Sequence, residues 1–159
     1  MDEFWEQFLG AFTGGLLAII GVLVAFYLER RARTRESFDQ AVEQVMYRLN
    51  ELAGAADAWH IQMRTSSWAP GDFPPPHPHS GTVSIAIEIA RLKAKKQSDQ
   101  AVLHAISAAW TDIALHSGRT LSVACLLTSS AVVNWRGGDD LSEVRSHLDH
   151  ARTLGPVPD

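Results

Sequence analysis

The chain has one cysteine, Cys125, and little lysine beside its arginine. A lone cysteine excludes an intramolecular disulfide and any cysteine-based zinc site within one chain. Cys125 lies in an apolar run with no nearby charge to lower its pKa, so it is expected to pack as a small core residue and not to act as a nucleophile. A basic balance is also missing. The formal net charge is −4 and there is no stripe of Lys and Arg, which argues against nucleic acid as a partner. No glycine-rich loop precedes a helix to cradle phosphate, no Gly-x-Ser-x-Gly elbow is present, and neither His-Glu-x-x-His nor Glu-x-x-His occurs. With these signatures absent, no enzymatic activity and no cofactor is expected. The excess of Arg over Lys, with frequent Ala, fits a GC-rich bacterial or phage genome.

What the chain does have is an uncharged run from Phe8 to Leu28, FLGAFTGGLLAIIGVLVAFYL. As a helix it is about 30 Å long, the thickness of a bilayer's hydrocarbon core. The expectation is a transmembrane helix over 8–28 after a short extracytoplasmic N-terminus, 1–7. A cleaved leader begins basic and ends at small residues. This one begins with Asp2, Glu3 and Glu6 and ends in Phe26-Tyr27-Leu28, so the segment is expected to stay. Arg30, Arg31, Arg33 and Arg35 follow it. Positive charge beside a span is retained in the cytoplasm, which places the N-terminus outside and the rest inside the cell membrane. These four arginines are expected to contact membrane lipid headgroups. Trp5, Phe4 and Tyr27 stand where interfacial aromatics belong. One face of the span is small: Gly10, Gly14, Ala18, Gly21 and Ala25. Such a face lets two helices approach closely in lipid, so a homo-oligomer is expected through it.

The expected fold class is all-α, the span continuing into a small cytoplasmic helical bundle. Residues 29–65 are read as a juxtamembrane amphipathic helix. Phe38, Val42, Val45, Leu49, Leu52, Ala56, Trp59 and Met63 recur in alternating steps of four and three. Met46 and Ala53 widen this seam, which suits a bundle helix better than a free two-stranded coil. Residues 66–81 hold five prolines and are read as a loop. Polyproline II is expected around Pro74–Pro78. The loop serves either as a stiff connector or as a ligand for an aromatic groove, and Trp68 is its candidate partner contact.

Residues 82–153 are read as the rest of the bundle. Over Thr82–Lys96, Val83, Ile85, Ile87 and Ile89 alternate as in a strand, while Ile85, Ile89 and Leu92 recur as in a helix. Helix is the reading adopted, since a lone strand would have no partner. Ser98 is the expected cap of a following helix to about His116, buried through Val102, Leu103, Ile106, Trp110, Ile113 and Ala114 and ended by Gly118. Arg119–Trp135 is read as a buried helix, too short and too rich in Ser and Thr for a second span. Asp140 and Glu143 mark a capping box for a last helix carrying Leu141, Val144 and Leu148. The tail, 154–159, is expected to fray.

Among the histidines, His77 and His79 share the proline loop and His147 and His150 lie one turn apart. Zinc needs three or four ligands in fixed geometry, so no metal site is expected. His60 and His104 are placed at the core's border. Trp59, Trp110 and Trp135 fall on core-facing positions, and Arg91, Lys93, Lys95 and Lys96 on a solvated helix end. The functional expectation is a membrane-anchored interaction or scaffold module that self-associates or docks a protein partner at the cytoplasmic face. Two other readings compete with it. One is a membrane effector of the lysis-accessory type, encoded by a phage or under stress. The other is a metal-binding protein using His77 and His79.

Overall fold

The computed structural model describes residues 2–66 and 73–155, with side chains from residue 20 onward in the first helix. Every regular element among them is α-helical: α1 (Asp2–Thr65), α2 (Gly81–Lys93), α3 (Gln97–Ile113), α4 (Gly118–Gly137) and α5 (Leu141–Arg152). The all-helical expectation therefore holds. The chain forms two compact units, Met1–Ser37 and Phe38–Asp159, with the boundary inside α1.

The second unit is the helical bundle. Along α1 the alternating seam is its buried face: Phe38, Val42, Val45, Leu49, Leu52 and Ala56 are all in the core. Ala41 and Ala53 are buried beside it and Met46 packs against it. A stripe this wide meets more than one neighbour, as a bundle helix does. Trp59 and Met63 are only half-buried. The Trp59 Nε1–H donates to the Pro75 carbonyl oxygen at 3.0 Å, and its ring meets that of His77 edge-on at 5.0 Å. These contacts pin the proline segment to the end of α1. Residues 73–79 carry no regular secondary structure.

α2 packs on α3 through Val83, Ala86, Ile87 and Ala90. The Trp110 Nε1–H donates to Ser84 Oγ at 3.1 Å, and Ser107 Oγ donates to Glu88 Oε1 at 3.0 Å. α3 presents Val102, Leu103, Ile106, Trp110 and Ile113 inward. α4 presents Leu121, Ala124, Cys125, Ala131 and Val132. α5 covers both neighbours with Val144, Leu148 and Ala151. Ion pairs bridge the outside: Arg152 to Asp112 at 2.6 Å joins α5 to α3, and Arg136 to Asp39 at 2.5 Å joins α4 to α1. The Arg136 guanidinium also lies over the Phe38 ring, 5.8 Å from its centre.

Several local expectations are corrected. α3 starts at Gln97 with Lys96, not Ser98, at its N-cap. Ala94 is buried and its carbonyl accepts from Gln100 Nε2 at 2.8 Å, which anchors the turn earlier than a serine cap would. Gly118 does not end α3. That helix stops at Ile113, and Gly118 is the first residue of α4. Its φ is +53°, and a Cβ built there would lie 3.1 Å from His60 Nδ1. Glycine is needed for both reasons, the left-handed backbone and the near approach of the ring. Ala114 is half-buried and His104 is exposed. On α4, Leu126 is 52 % exposed while Ser122, Thr128 and Ser129 are buried. The Thr128 hydroxyl is satisfied by donating to the Ala124 carbonyl at 2.8 Å, so small polar residues can face the core where a leucine faces out. The capping box on α5 forms as expected. Asp140 accepts from the Ser142 and Glu143 amides, and Glu143 accepts from the Asp140 amide at 3.0 Å.

Candidate functional site

Two apolar regions are exposed among the described residues. The first is on α1. From residue 20 to residue 28 every position is exposed, including Ile20, Val22, Leu23, Val24, Phe26, Tyr27 and Leu28. Gly21 has open space where a Cβ would stand, and Ala25 is exposed. The surroundings of Gly10, Gly14 and Ala18, like the side chains of the first part of the uncharged run, lie outside what is described. Among the described residues no helix is long and apolar enough to cross a membrane.

Just beyond, Arg30, Arg31, Arg33 and Arg35 are all exposed on α1. Arg33 pairs with Glu29 one turn earlier at 2.5 Å, and the Arg30 carbonyl accepts from Thr34 Oγ1 at 2.7 Å. An exposed pair of this kind contributes little to stability.

The second region lies in the bundle. Ile85, Ile89 and Leu92 are 62, 45 and 83 % exposed. They are the residues whose helical spacing pointed to α2, yet they form the face opposite its buried one. α2 is therefore apolar on two sides and fills only one of them. Beside this stripe a groove of about 480 Å³ runs between α1 and α2. Gln40, Ala41, Glu43, Gln44 and Arg48 line one wall, and Thr82, Ile85, Ala86, Ile89 and Lys93 line the other. The groove is open and carries no cluster of convergent catalytic groups. Arg48 is held by Glu51 at 2.6 Å, which raises its pKa further above the usual value. The reading of residues 82–96 as helix thus missed a surface. Its signal was visible in the sequence, since Val83, Ile87 and Ala90 already supply one complete apolar face.

The remaining candidates are not brought together. His77 is exposed and stacked edge-on against Trp59, and in the tautomer protonated at Nδ1 it donates to the Pro78 carbonyl at 3.0 Å. His79, His147 and His150 are exposed. His116 turns Nε2 inward, where no described residue offers it a hydrogen bond. No group of three or more His, Cys, Asp or Glu among the described residues is placed to hold a metal ion. Cys125 is buried and its thiol is pushed up to about 12 by burial, so it carries almost no thiolate at neutral pH. In the basic cluster, Arg91 pairs with Glu88 at 3.0 Å. Trp68 lies outside the described residues. Set against protein-family models, curated proteins and solved structures, the chain finds no match.

Proposed function

We propose that this chain is a membrane-tethered, non-enzymatic helical module that associates with copies of itself at the cytoplasmic face of the cell membrane. Residues 8–28 are the tether, the N-terminus lies outside, and the bundle from Phe38 onward is held near the lipid surface. The exposed run Ile20–Leu28 is the observation that carries this reading. Leaving seven large apolar side chains in water forfeits about 1.5–3 kcal/mol each, and lipid is the solvent that removes this cost along the whole circumference. The uncharged sequence continues back to Phe8, so the run has the length of a span. The exposed arginines next to it fix the sense of insertion and meet anionic headgroups.

The test is fractionation of the full chain expressed in a bacterium. The protein is expected in the membrane pellet after high-speed centrifugation, resistant to alkaline carbonate and released by detergent. A tag at Met1 is expected to be cut by protease added to spheroplasts, and a tag after Asp159 to be protected. Recovery of the full chain in the detergent-free supernatant would overturn the tether. Reversed protease accessibility would overturn the orientation.

A further inference from the structure

We infer that the end of α1 around Trp59 is a binding surface for a proline-rich segment, occupied by the chain's own residues 73–79 as a strap. Polyproline II has three residues per turn and no internal hydrogen bonds, so every third residue shares a face and the backbone carbonyls are open to outside donors. Within 73–79 Pro75 and Pro78 are half-buried, and they stand three apart. Phe73, Pro74, Pro76, His77 and His79 are exposed. The Trp59 Nε1–H donates to the Pro75 carbonyl oxygen at 3.0 Å, and the Trp59 ring meets that of His77 edge-on at 5.0 Å. A flat aromatic body whose N–H takes a proline carbonyl, with the covered prolines at i and i+3, is the pattern by which aromatic-lined surfaces hold proline ligands.

The connection is also long. Fifteen residues separate Thr65 from Gly81, where helix–helix connections in bundles usually take about 2–8. One neutral hydrogen bond and one edge-on ring contact tie the strap to α1, and none of residues 73–79 is fully buried. A contact of this kind opens locally while the core stays closed. Opening uncovers the Trp59 ring and its donor together, and the ligand whose chemistry replaces the strap is a proline-rich segment of a partner protein. Held on the same chain, the strap acts at a millimolar effective concentration, so a partner's segment takes the surface only by binding more tightly or by being concentrated beside it. Trp59 and the strap both lie within the unit Phe38–Asp159, so this surface stands or falls separately from the tether.

The experiment follows the tryptophan indole N–H resonances of the isotope-labelled full chain in mild detergent. Trp59→Phe assigns the Trp59 signal. Trp110, whose indole donates to Ser84 between α3 and α2, reports on the core. Pro75→Gly together with Pro78→Gly is expected to shift the Trp59 signal and to speed its exchange with water several-fold, with Trp110 unchanged. A synthetic peptide of residues 73–80, added at millimolar concentration to this double variant, is expected to return the Trp59 signal toward its parent position and to slow its exchange several-fold. The same peptide with glycine in place of both prolines is expected to do neither. A Trp59 signal that the double substitution leaves in place overturns the docked strap. A signal released by the substitutions but untouched by the peptide, or moved equally by the glycine peptide, overturns the binding surface and leaves a plain connector. Movement of Trp110 together with Trp59 overturns the local opening, since strap and core would then unfold as one.

Discussion

Alanine in place of glycine should have opposite effects at two positions of this fold. Gly54 lies inside α1 with nothing within 4 Å of where a Cβ would stand. Alanine there adds helix propensity and restricts the unfolded chain, and is expected to stabilise by about 0.5–1 kcal/mol. Gly118 has φ +53° and His60 Nδ1 3.1 Å from the built Cβ. Left-handed backbone costs an L residue about 1–2 kcal/mol, and the His60 ring must yield by a few tenths of an ångström. The same restriction of the unfolded state offsets part of this, so Gly118→Ala is expected to destabilise by about 1–2 kcal/mol in total. For a bundle of this size each kcal/mol moves the midpoint by about 4 °C. Thermal unfolding of the purified chain in mild detergent, followed by helical circular dichroism, should show Gly54→Ala melting above the parent and Gly118→Ala below it. A cycle with His60→Ala separates the causes. If the ring contact dominates, Gly118→Ala costs little in the His60→Ala background; if the backbone dominates, it costs nearly as much as before. An unchanged or raised midpoint for Gly118→Ala would refute the reasoning, since no other feature of the site favours alanine.

Two leucines five residues apart on α4 should respond very differently. Leu121→Ala opens a cavity in a closed core and is expected to cost about 2–5 kcal/mol, whereas exposed Leu126→Ala should stay within about 0.5 kcal/mol; denaturant titration of both variants decides it. Cys125 should resist a maleimide or aromatic disulfide reagent in the native chain and react at once on unfolding, because burial has raised its thiol pKa; rapid native labelling would contradict this. Asp140 is held below the usual aspartate pKa by its hydrogen bonds from Ser142 and Glu143. Its depressed pKa makes the cap fully effective above about pH 3.9, and lost as pH falls through the folded value. The protection of the Ser142 and Glu143 amides against hydrogen exchange, taken relative to the intrinsic rate at each pH, should therefore fall on acidification below that point in the parent. Asp140→Asn should show no such pH step. A step that survives the substitution would assign the titration to another group.

Much of this protein was legible in its residues. The steps of four and three from Phe38 to Ala56 specify one face of a helix without any knowledge of what it meets, because side-chain direction follows from backbone geometry alone. The capping box at Asp140 and Glu143 was legible for the same reason, its donors and acceptors lying within one turn. The uncharged run ending in arginines is equally local. Tertiary structure alone decided which of α2's two apolar faces is covered: Val83, Ala86, Ile87 and Ala90 are the buried ones, on a helix that packs against α3. It decided that α3 starts at Gln97, next to Ala94, which is buried in the core and whose carbonyl accepts from Gln100. It also decided that Gly118 opens α4, since His60 comes from a helix more than fifty residues earlier. Periodicity tells how a helix is divided into faces. Which face is filled depends on the residues that distant segments bring to it, and those contacts exist only once the chain has closed on itself.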